Sequence, residues 1–92
     1  MATLLTDAAI QTQLQGLKGW QQNDQTITTT KTFDGFPGAI AFVNKLVDPA
    51  EAAGHHPDIE ISYNKVTISL STHDAGGLTQ KDFDLAQKIE QL

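Results

Sequence analysis

The chain has 92 residues and carries 6 basic against 11 acidic side chains, a formal net charge of −5, with 39% hydrophobic residues and no cysteine. That length bounds one domain, residues 1–92, with a single modest core. The composition is that of a folded globular chain rather than a disordered one, and the lack of cysteine excludes a disulfide framework and thiolate metal sites. The acidic balance and scattered lysines argue against direct nucleic-acid binding, which needs clustered cations for phosphate.

The longest apolar run is far too short for a membrane span, and the N-terminus lacks the charged-then-apolar layout of a secretory signal. A cytoplasmic protein is expected. The first helix is predicted to start at Thr6 as N-cap, with Leu5 and Ile10 as a hydrophobic staple. Ile10, Leu14 and Leu17 continue one face, and Gly16 or Gly19 ends it. Trp20–Gln22 reads as a short strand, Asn23-Asp24-Gln25 as a turn, and Thr26–Phe33 as a second strand rich in β-branched residues. Five threonines between positions 26 and 32 suit an edge or interface strand, or a solvated sheet face.

A longer helix follows, with Phe36, Ile40, Val43, Val47 and Ala50 at helical spacing. Asp48-Pro49-Ala50-Glu51 supplies an N-cap, a proline at N1 and a glutamate at N3, so a kink or a two-part helix ending at Gly54 is expected. In the next hairpin, a two-residue turn at Asn64-Lys65 pairs Tyr63 with Val66, Ile61 with Ile68 and Ile59 with Leu70 on one apolar face. The last helix starts at Thr79, with Leu78 and Phe83 as a staple and Asp82 closing a capping box. The order α-β-β-α-β-β-α predicts an α+β two-layer sandwich: a four-stranded antiparallel sheet with three helices on one face.

All three histidines, His55, His56 and His73, fall in or beside that second hairpin. Extending its register sets position 56 opposite position 73, on the polar side of the sheet, while His55 projects towards the helix layer. Imidazole exchanges protons near neutral pH without a special environment, so a clustered supply points to proton-transfer chemistry. A histidine-rich metal site is disfavoured, because adjacent His55 and His56 point in different directions. Bland readings stand beside the functional ones. Asp82 can be only a cap, and Glu51 only the N3 partner of Asp48 or an i,i+4 neighbour of His55. Tyr63 is first a core-facing hairpin residue, and Trp20 either packs or offers a flat face to a ring ligand.

Glu51, three residues, His55-His56-Pro57, five residues, Tyr63, nine residues, His73, eight residues, Asp82 form a long spaced pattern. With Leu17-Lys18-Gly19-Trp20, Phe36, Phe42, Ser71-Thr72-His73 and Gly77-Leu78-Thr79, it resembles the pterin-4a-carbinolamine dehydratases over nearly the whole chain. Only the Asp48-Pro49 break is less typical of them. The resemblance implies the same fold and a 4a-hydroxytetrahydropterin substrate, dehydrated to the quinonoid dihydropterin in tetrahydrobiopterin recycling beside an aromatic amino acid hydroxylase. No cofactor or metal is implied. His55 and His73 would form the main proton-transfer pair, and His56 a binding and electrostatic partner. His55 to Pro57 and Thr72, Asp74 and Ala75 would contact the pterin. Glu51 and Asp82 would position histidines or pterin nitrogens, and Trp20 would flank the ring. A homodimer or homotetramer is implied. The competing readings are a dimerisation cofactor for a transcription factor, or a pterin binder in another pathway such as molybdopterin metabolism.

Overall fold

The computed structural model describes residues 3–92. Helix α1 (Asp7–Leu14) leads into β1 (Gln21–Asn23) and β2 (Thr26–Thr32). Then come α2 (Phe36–Lys45), α3 (Val47–Ala53), β3 (Asp58–Ser62), β4 (Lys65–Leu70), a single 3-10 turn (His73–Ala75) and α4 (Gln80–Glu90). The sheet is antiparallel with strand order β1-β2-β4-β3. This is the α+β sandwich that the pattern predicts, its middle helix split in two.

Thr6 caps α1, its hydroxyl accepting from the Ala9 N–H at 3.1 Å, and Ile10 and Leu17 are buried. On the sheet, Ile27 in β2 and Val66, Ile68 and Leu70 in β4 pack beneath Phe42, Leu46, Phe83, Leu85, Ala86 and Ile89. Alternation of side chains along a strand explains the rest. Ile27 and Thr29 face inward, whereas Thr26, Thr28, Thr30 and Thr32 lie on the uncovered side. There Thr28 shares a hydrogen bond with Ser69 (3.2 Å) and Thr30 with Thr67 (3.0 Å). The threonine-rich strand is therefore central, not an edge, and the solvated-face reading is the one the sheet adopts.

Three expectations need correction. The helix break falls at Leu46, which caps both α2 and α3, rather than at Asp48. Pro49 is thus the third residue of α3, where a missing N–H costs no helical bond. The buried face is Ala39, Phe42, Leu46 and Ala50, while Phe36 (49% exposed) and Val47 (57%) face out. The hairpin turn is Tyr63-Asn64, so Ile61 pairs with Val66 and Ile59 with Ile68. Asn64 decides this. Its carbonyl accepts from the Phe33 N–H at 2.8 Å and its amide donates to the Phe33 carbonyl at 3.1 Å, extending the β2–β4 pairing. Tyr63 is left at φ +54° and 69% exposed, not facing the core.

Candidate active site

Three chain segments meet at the first turn of α4. Gly54, in the left-handed conformation (φ 60°), closes α3 and turns the chain so that the half-buried His55 reaches α4. Its Nε2 lies 2.6 Å from Asp82 Oδ1. Asp82 is fully buried at 0% exposure, a position a carboxylate tolerates only when its oxygens are occupied. They are. Oδ2 accepts from the Thr79 N–H (2.9 Å) and from the Thr72 hydroxyl (2.9 Å). The capping box read from the sequence is present, and the same carboxylate also holds the histidine.

Thr72, 2% exposed, opens a tight loop closed by paired backbone bonds with Gly77 (3.0 and 3.3 Å). Gly76 supplies the positive φ (+81°) that this return requires. His73, Asp74 and Ala75 form the intervening 3-10 turn, with His73 and Asp74 exposed and Ala75 partly so. Asp82 thus ties the His55 segment and the residue preceding His73 to one carboxylate. An ionised carboxylate only accepts, so beside it a neutral His55 carries its proton on Nε2 and keeps the lone pair on Nδ1.

The direct opposition of His56 and His73 is not found. The ladder begins at Asp58 paired with Ser69, and His73 lies outside it. His56 is not on the polar sheet face either. Its Nε2 lies 2.6 Å from Glu51 Oε2, and both side chains are exposed. His56, Glu51 and Pro57 border an apolar groove of about 210 Å³ walled by Val43, Val47 and Ile59. Trp20 is not brought to the histidines. It is buried, its indole N–H donates to Glu90 (3.1 Å), and Lys31 pairs with the same carboxylate at 2.7 Å. Glu90 and Asp82 are eight residues apart on α4, roughly 12 Å. Trp20 instead borders an open concavity of about 820 Å³ with Gln11, Gln21 and Gln22. Thr79 was named from the sequence only as a helix start. Its burial and hydroxyl bond to Thr72 (2.8 Å) carry no signal in residue spacing.

A family model described as pterin 4 alpha carbinolamine dehydratase matches residues 3–92. The chain belongs to the pterin-4a-carbinolamine dehydratase family. Provisionally named dehydratases of this family from Trichormus variabilis and Picosynechococcus are each 64% identical over the whole chain, which spans 99% and 100% of their lengths. The crystal structure of a transcriptional coactivator/pterin dehydratase from Brucella melitensis superposes with a TM-score of 0.89, at 34% identity over 95% of each chain. A pterin dehydratase-like RuBisCO assembly factor of the alpha-carboxysome shares the fold at 20% identity and a TM-score of 0.62, over 78% of this chain and 83% of its own. The dehydratase family is one of hydro-lyases, and in this member His55, Thr72 and Thr79 converge on Asp82. No helix among the described residues is long and apolar enough to cross a membrane.

Proposed function

We propose that the chain dehydrates a 4a-hydroxytetrahydropterin to the quinonoid dihydropterin and water, with His55 and His73 as the proton-transfer pair. The observation that carries this is the His55–Asp82–Thr72 connection, which ends one residue before His73. Loss of the 4a-hydroxyl as water requires one proton delivered to that oxygen. Loss of the N5 proton lets its electron pair form the C4a=N5 double bond. One proton enters and one leaves, so two positioned imidazoles suffice, and the enzyme is restored once His55 releases its proton to solvent and His73 takes one up. Positioned acid–base groups contribute about 10²–10⁴-fold each.

His55, oriented through Nε2 by Asp82, would present Nδ1 to N5 as the base. His73, on the exposed 3-10 turn, would deliver the proton to the departing hydroxyl. His56 with Glu51, Pro57, Asp74 and Ala75 would border the bound pterin. The setting that fits is cytoplasmic recycling of a tetrahydropterin after an aromatic hydroxylase has used it. The test is spectrophotometric dehydration of freshly generated 4a-hydroxytetrahydropterin, wild type beside His73→Ala. A wild type no faster than the uncatalysed reaction overturns the reading.

The implied homo-oligomer has a candidate surface. β3 is an edge strand exposed along all five residues, and its Ile59 and Ile61, like Val47 and Tyr63, are exposed apolar side chains. An uncovered edge flanked by apolar side chains readily pairs with another strand. A second copy of this chain is the proposed occupant. This surface favours self-association as a feature accompanying the enzyme, rather than an adaptor role in place of it.

A further inference from the structure

Resting on the dehydratase reading, we infer that Thr79 is a positioning residue for His55, acting through the hydroxyl chain Thr79–Thr72–Asp82. Thr79 is 1% exposed, and its Oγ1 lies 2.8 Å from Thr72 Oγ1. Thr72 Oγ1 in turn lies 2.9 Å from Asp82 Oδ2. A hydroxyl has one proton to give, and a carboxylate can only receive. Thr72 therefore donates to Asp82, and the bond between the threonines runs from the Thr79 hydroxyl to Thr72.

Every proton in this chain then points the same way. Thr79 donates to Thr72, Thr72 to Asp82, and His55 Nε2–H to the other oxygen of Asp82. Hydrogen bonds aligned head to tail in a dry interior polarise one another, and a broken link leaves its neighbour under-satisfied. The burial of all three groups also changes the role of Thr72. Its hydroxyl is committed to Asp82 behind the site and orders the carboxylate. Asp82 sets the direction of the whole chain, and Thr79 completes it: its hydroxyl occupies Thr72 and so helps hold the carboxylate that positions His55.

The test uses Thr79→Val, which keeps the shape and removes the hydroxyl, beside Thr79→Ser, which keeps the hydroxyl. Two readouts are taken: steady-state dehydration, and the ring-nitrogen NMR signals of His55. The valine variant should lose about tenfold in kcat with KM within twofold, while serine restores most of the rate. In the wild type, His55 should be the Nε2–H tautomer, with its ring proton protected from exchange. In the valine variant that proton should exchange faster, because the carboxylate that holds it is less firmly placed. Thermal melts establish that each variant is folded before it is scored. The inference is overturned if the valine variant keeps its rate, if the rate falls with His55 signals unchanged, or if serine fails to rescue. An inactive wild type counts against the dehydratase reading alone, because the NMR arm needs no turnover.

Discussion

His55 Nε2 and Asp82 Oδ1 stand 2.6 Å apart, joining the loop after α3 to the first turn of α4 across 27 residues of sequence. The same carboxylate accepts from the Thr79 backbone and the Thr72 hydroxyl. One side chain therefore completes a helix start, closes a loop and orients an imidazole.

Asp82→Asn separates charge from shape. The amide keeps an oxygen for Thr72 and Thr79, but turns an N–H₂ donor towards His55. The imidazole must then accept at Nε2 and carry its proton on Nδ1, where a base needs a lone pair. Dehydration should slow by about 10²-fold or more, with the melting transition little changed. Steady-state rates and thermal unfolding on the same sample check this.

Asp82→Ala should add a stability loss. The buried Thr79 N–H and Thr72 hydroxyl lose their acceptor, and a buried group left unpaired costs about 1–3 kcal/mol. Urea denaturation should show the midpoint falling with the slope unchanged, the sign of lost stability without a change in denatured-state compactness.

The histidine doublet should split in its effects. His55→Ala should depress turnover by about 10²–10⁴-fold. His56→Ala should cost much less in rate, since its pair with Glu51 is open to water. Neither His56→Ala nor Glu51→Gln should move stability by more than about 0.5 kcal/mol, as solvent screening leaves exposed pairs nearly neutral. A loss in His56→Ala equal to that in His55→Ala contradicts the division of labour drawn above.

Backbone strain gives a test on a different link. Tyr63 occupies φ +54° at the tip of the β3–β4 hairpin, a region that costs a residue with a Cβ about 1 kcal/mol. Tyr63→Gly should raise stability by about 0.5–1 kcal/mol. Gly54→Ala, with φ +60° and no neighbour to hinder the added methyl, should lower stability by about 1 kcal/mol for the same reason. Chemical denaturation of the two variants side by side measures both signs.

The β3 edge predicts an assembly. Sedimentation of the wild type should show more than one copy per particle, and Ile59→Lys should shift it to the monomer, because an edge lysine discourages strand pairing. A monomeric wild type at micromolar concentration contradicts the proposed surface.

Much of this architecture was legible in the chain, and the misreadings have physical causes. The hairpin alternation put Ile59 and Ile61 on the same sheet face as the buried Val66 and Ile68 correctly, because a one-residue slip of the turn shifts each cross-strand partner by two and parity survives an even shift. The slip itself comes from Asn64 binding Phe33, a contact that local turn preference does not contain. Helical periodicity picked out Phe36, Ile40, Val43 and Val47, but α2 and α3 carry two apolar faces, and only one meets the sheet. At the site, Asp82 was visible as a capping residue and His55 as pointing to the helices. That each is the partner of the other depends on Gly54 reversing the chain, which spacing cannot express. The polarity of the threonine pair was invisible, since it arises from burial and proton counting.

The double duty of Asp82 has a consequence for partly melted molecules. A copy whose α4 has frayed at its beginning loses, in the same event, the group that holds its imidazole in readiness. Fraying there would release the His55 ring and the Thr72 loop together, since both are fastened to that one carboxylate.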